Sequence, residues 1–177
     1  MTEKIVRQLL EPSIQEMSPK YADLEKAVGA FGDNNVEEAT RIMEEVCRAN
    51  PELPPTGVLL AKLFAFAQNQ AGTRSALERA VRDNPDDPEA YVVFGDDNFK
   101  QGRFADASLN YDKAIDAAEK YSANEVRKKL LMLRALSGKA AVLEAGEKWS
   151  EAVPLLQRIT SINTENLGLQ ARLRRAI

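Results

Sequence analysis

One spacing constrains this chain more than any other. Tyr91, Phe94 and Gly95 place an aromatic residue, a large apolar residue three later and a glycine next; Ala107 and Tyr111 follow four apart, with Ala114 three further on. Stepping back 34 residues finds Leu60, Ala61, Leu77 and Ala80 in the corresponding places, with Phe64 three beyond Ala61, and a second step finds Ala27, Ala39 and Met43. The copies depart from one another at Gly57, where an aromatic is expected, at Thr73, which replaces a small residue, and at Asp23 and Lys26, which replace apolar ones. A fixed period of this length marks stacked supersecondary units, each too small to bury its apolar face alone.

The positions have physical reasons. Small residues let two helices of one unit approach closely, and large ones fill the space between them. Pro51 and Pro85 stop the second helix of their units, since proline cannot donate to the preceding turn. The run Asp86-Asp87-Pro88-Glu89 then opens a helix with acidic residues near its N-terminus and proline in its first turn. Gly102 and the Asp33-Asn34-Asn35 cluster mark tight turns inside units.

On these residues the chain resembles the tetratricopeptide repeat (TPR) family. The resemblance implies an all-α fold, a right-handed α-solenoid of antiparallel helix pairs with about four TPR units plus end helices. The units fall at 20–53, with a degenerate first helix, at 54–87 and at 88–121. Trp149 and Ala152 through Leu156 look like the second helix of a further unit, with Ala140 and Leu143 on its first. Eleven extra residues, 122–132, precede it and hold neither Pro nor Gly, so they extend that first helix. The fourth unit therefore covers 122–166, with a helix from about 124 to about 146 capped by Ser122 or Asn124. Trp149 fits core packing between helices.

Residues 1–19 make an N-terminal helical cap, amphipathic over 4–10, with Ile14 and Met17 allowing another turn before Pro19. Residues 167–177, with Leu169, Leu173 and Ile177, begin another helix. Arg172, Arg174 and Arg175 suit a solvating cap there; truncation from a longer protein is the favoured alternative. End helices of this kind also offer a route to homo-oligomers.

Absences bound the chemistry. The chain has no histidine, which removes Ser-His and Cys-His pairs, imidazole proton shuttles and His-ligated metals. The single cysteine, Cys47, permits neither an internal disulfide nor a thiolate cluster and suits a small apolar site. No phosphate-binding or dinucleotide glycine loop and no calcium loop occurs. A net charge of −3 opposes a general nucleic-acid or anionic-membrane surface. No apolar run is long enough to span a bilayer, and the first residues lack a signal peptide, so a cytoplasmic setting is expected. We expect no catalytic residues, cofactor or metal.

The resemblance also implies where partners bind, since the family lines its concave face mainly with first helices. Carried over position by position, the groove comprises Leu24, Val28, Phe31, Val58, Leu59, Lys62, Phe66, Val92, Val93, Asp96, Phe99 and Lys100. It is largely apolar and suits an amphipathic helix or an extended apolar peptide of a protein partner. The alternatives are that the mapping is off by a position, or that the N-terminal helix or a curled neighbour covers these side chains as core. The lysine, asparagine and arginine set with which family members clamp a peptide's terminal carboxylate is missing, because Val58, Val93 and Gly138 occupy three of its places. Asp96 and Asp97 beside Glu89 suit a cation or basic peptide, or else a solvated face. Arg127, Lys128, Lys129 and Arg134 form the one basic cluster, a docking point for an acidic partner or a solvated face. The function expected is a non-catalytic interaction module or scaffold; the second candidate is the accessory or oligomerisation region of a longer enzyme or regulator.

Overall fold

In the computed structural model, which describes residues 2–11 and 19–163, four residues adopt the left-handed backbone: Asn34, Gln68, Gly102 and Glu147, with φ of 61°, 55°, 73° and 57°. They follow one another at intervals of 34, 34 and 45 residues. Each lies in a tight turn between two helices. Gly and Asn reach this region at small steric cost, whereas Gln68 and Glu147 are held there by the helices on either side. Two of the turns end in an asparagine cap: Asn35 Oδ1 accepts from Glu38 N at 3.1 Å and Asn69 Oδ1 from Gly72 N at 2.8 Å.

The helices are α1 (Thr2–Leu10), α2 (Asp23–Gly32), α3 (Val36–Ala49), α4 (Thr56–Phe66), α5 (Gln70–Asp83), α6 (Pro88–Lys100), α7 (Phe104–Lys120), α8 (Glu125–Ala145) and α9 (Trp149–Ile162), with a 3₁₀ turn at Pro19–Tyr21. The described residues are all-α. They divide into two compact units, one running to Asp87 and including Ser122–Arg127, the other formed by Pro88–Tyr121 and the residues from Lys128 onward.

In the first unit α2 packs on α3, α3 on α4, and α4 on α5. The missing aromatic at Gly57 has a cause. A Cβ there would stand 2.9 Å from Ala80 Cβ and 3.0 Å from Ala80 Cα, so α4 and α5 approach at a distance only glycine permits. Phe31 and Phe64 meet edge to face, 5.0 Å between centroids. The residues that lead into α8 are fixed here too. Asn124 Oδ1 accepts from Arg127 N at 2.9 Å, which makes Asn124 rather than Ser122 the cap, and Asn124 Nδ2 donates to Glu52 O at 3.3 Å.

In the second unit α6 packs on α7. Tyr111 of α7 is buried between two glycines: a Cβ at Gly95 would stand 2.6 Å from its Cε1, and one at Gly138 would stand 2.2 Å from its Cζ. Ala118, Met132, Leu136, Ala140, Ala152, Leu156 and Ile159 join α7, α8 and α9 in one apolar cluster. Trp149 does not join it. As the first residue of α9 its side chain is 39% exposed, which corrects the expectation of core packing. The expected turn at Ile14 and Met17, and the expected helix with Leu169, Arg172, Leu173, Arg174, Arg175 and Ile177, lie outside the described residues.

Candidate interaction surface on the first helices

The N-terminal helix α1 packs against α2 and α4, which are the first helices of two successive pairs. Its apolar residues Val6, Leu9 and Leu10 stand at the i, i+3 and i+4 spacing of one helical face, and all three are completely buried. Glu3, Lys4, Arg7 and Gln8 cover the opposite, exposed face. The receiving helix α4 is buried through Gly57, Val58, Leu59, Leu60, Ala61 and Leu63. A helix so apolar around its circumference must be covered on more than one side.

The polar part of this contact is Lys62. Its Nζ donates to Leu9 O and to Glu11 O, both at 2.8 Å. Those carbonyls belong to the end of α1, where the last helical C=O groups lack partners within the helix and carry the negative end of its dipole. A lysine placed there satisfies and neutralises them together.

In the second unit the corresponding centre is ionic. Tyr111 Oη donates to Asp96 Oδ1 at 2.7 Å, and the Arg134 guanidinium pairs with Asp96 Oδ2. Burial, together with the hydrogen bond to Asp96, pushes the Tyr111 phenol above its ordinary value. Lys139 Nζ donates to Ser108 Oγ and to Asp112 Oδ2, both at 2.6 Å.

No protein-family model matches the chain. A DnaJ homolog subfamily C member 7 homolog of Schizosaccharomyces pombe is 24% identical over 181 residues, covering 80% of this chain and 38% of that protein. Among solved structures, yeast Tom70 superposes with a TM-score of 0.64 at 18% identity, over 99% of this chain and 39% of Tom70. PilW, a type IV pilus biogenesis factor, superposes with a TM-score of 0.56 at 15% identity, over 91% of this chain and 70% of PilW. The chain thus spans about two fifths of the length of the DnaJ relative and of Tom70. These neighbours are built from tetratricopeptide-type helix pairs. The fold is of the TPR type.

Within that TPR frame the twelve groove positions separate. Leu24 and Val28 on α2, and Val58 and Leu59 on α4, are buried, and they lie on the two helices against which α1 packs. Val92 is buried among Ala114, Leu131 and Ala135. These five are core and present no open surface, which corrects the expectation for them. Val93 and Asp96 are half-buried, Lys100 is exposed, and Phe66 at the end of α4 is 49% exposed. Phe31 is half-buried against Phe64. Phe99 packs beside Tyr111, Ala107 and Val142. Lys62 is held by the α1 carbonyls.

Two charge clusters also resolve otherwise than expected. Glu89 is completely buried and so stands on no surface with Asp97, while Asp96 is taken by Tyr111 and Arg134. The basic cluster is divided. Arg127 is completely buried, with Nη1 and Nη2 donating to the two Asp87 oxygens at 2.6 and 2.8 Å, and Arg134 belongs to Asp96. Neither guanidinium is a free docking point. The Cys47 thiol donates to Pro54 O at 3.3 Å, and burial raises its pKa to about 11, away from the thiolate reactivity of a nucleophile. Among the described residues, no three of Cys, Asp and Glu are grouped to hold a metal, and no helix is long and apolar enough to cross a membrane.

Proposed function

We propose that this chain is a non-catalytic, cytoplasmic interaction module, or part of a scaffold, whose first-helix face binds an amphipathic helix of a partner protein. The observation that supports this most directly is the seat of α1. The apolar triplet of α1 is buried against α2 and α4 while Lys62 holds its terminal carbonyls. The face therefore carries both components of helix-in-groove recognition, an apolar floor and a polar contact that fixes the helix end. Within the first unit exposed Phe66 supplies further apolar contact on α4; in the second unit, taken by itself, half-buried Val93 lies on the first helix α6. The TPR-type fold supports a protein partner, and the acidic balance opposes nucleic acid.

Affinity capture from native lysate tests this. Wild type is compared with Phe66→Glu and with Val93→Glu/Phe99→Glu, each checked for retained helical content. Loss of specific partners in either variant is expected. Identical partner sets for all three would refute the assignment of the first-helix face.

A further inference from the structure

We propose that the seat of α1 is exchangeable: it accepts a partner helix with the same chemistry as α1, and α1 is its built-in competitor. The inference rests on the reading of the first-helix face as a helix-binding surface. It commits the partner to an apolar triplet at i, i+3 and i+4, a polar opposite face, and a C-terminal turn whose carbonyls reach Lys62.

Three features carry it. Lys62 donates to main-chain oxygens of α1, at Leu9 and Glu11. A helix ending at this place offers main-chain acceptors of the same kind, so these two bonds do not depend on the occupant's side chains. Selection then falls on the triplet, filled here by Val6, Leu9 and Leu10. Second, α1 has nine residues, too few for a stable isolated helix in water. Its order is borrowed from the seat, and release returns conformational freedom to the chain. Third, α2, α3, α4 and α5 hold one another through packing in which α1 takes no part. Departure of α1 leaves that packing in place and uncovers the apolar floor for another helix.

The test uses the chain's own segment as probe. A fluorescein-labelled, C-terminally amidated peptide of residues 2–11 is titrated by anisotropy against the full chain. It is titrated in parallel against the full chain carrying Leu9→Asp/Leu10→Asp, whose own α1 no longer fits. Wild type is expected to bind weakly, because tethered α1 competes at high effective concentration. The variant is expected to bind at least tenfold more tightly, and adding Lys62→Met is expected to weaken that binding severalfold. A variant that binds no more tightly than wild type would overturn the proposal. Hydrogen exchange on wild type gives an answer even if the variant misfolds: α1 amides are expected to exchange well before those of α4, and exchange of both together would overturn it. A wild-type dimer by light scattering that Leu9→Asp/Leu10→Asp abolishes would assign the seat to α1 of a second copy, against a partner helix. The titration needs no cellular partner, so its outcome is independent of the capture experiment.

Discussion

Gly138→Ala adds one methyl group where the Tyr111 ring already stands. The new Cβ would lie 2.2 Å from Cζ and 2.4 Å from Cε1, whereas carbon atoms in contact settle at about 3.5–4.0 Å. The ring must therefore move by roughly 1 Å or more. Gly95 also lies against this ring, where a Cβ would stand 2.6 Å from Cε1, and Tyr111 Oη is tied to Asp96 at 2.7 Å. Overpacking of this kind costs about 1–3 kcal/mol. Against it stands the helix preference of alanine over glycine inside α8, about 1 kcal/mol. A net loss on the order of 1 kcal/mol is expected, reaching about 2 where the ring cannot turn. In a Tyr111→Leu background the ring is absent, and Gly138→Ala is then expected to be neutral or favourable. The coupling between the two substitutions equals the clash itself, about 1–3 kcal/mol. Trp149, the one tryptophan of the chain, lies on α9 in the same unit and reports its urea unfolding by fluorescence. The same cost in both backgrounds would refute the two-glycine slot.

Glycines elsewhere are expected to respond in opposite directions. Among the described residues nothing lies within 4 Å of a Cβ at Gly29, in α2, so Gly29→Ala is expected to raise stability by about 0.5–1 kcal/mol. Gly57→Ala is expected to lower it, because the obstruction there includes Ala80 Cα, which is backbone; calorimetry on the two single variants decides. Arg127→Met removes the bidentate partner of Asp87 in a buried place and is expected to lower the urea midpoint. Burial pushes the Cys47 thiol up to about 11, from 9.0 for a solvated thiol, so the fold favours its protonated form. That contribution is complete below pH 9.0 and is lost as pH rises through about 11. Urea midpoints compared above and below this window are expected to fall less in Cys47→Ala than in wild type.

The helical elements were legible because their signals are local. The period of 34 residues placed the helix pairs, and the uninterrupted stretch 122–132 announced a long helix, found as Glu125–Ala145. Pairings between distant residues left no such trace. Gly138 looks unremarkable until the ring it faces is known, and that ring belongs to α7, 27 residues earlier. Arg127 sits in a basic run that suggests a solvated face, but its partner Asp87 is 40 residues away and takes it into the interior. The groove shows the same limit. Val58, Leu59 and Val92 announce an apolar face, and apolarity alone does not say whether a partner or the chain itself covers it. Here α1 lies on α2 and α4, and α7 and α8 contribute the neighbours that bury Val92. Trp149 fitted the repeat pattern at its position and still stands outside the core, because as first residue of α9 it lies at the end of the packed helix face.

Lys62 and Asp96 are separated by 34 residues and so occupy the same place in successive repeats, with opposite charge. In the first unit the lysine meets the carbonyl end of a helix, where the partial negative charge of the backbone favours a cation. In the second unit the same place holds a carboxylate, which would repel a helix C-terminus, and that carboxylate is already satisfied by Tyr111 and Arg134. Both units display first helices of similar construction, yet only the first supplies the charge that a helix ending in the α1 orientation requires. On the proposed reading this charge difference gives the seat a direction: an occupant with its carbonyl end over Lys62 is favoured, and the same occupant turned end for end would bring its N–H groups, and the positive end of its dipole, against the ammonium.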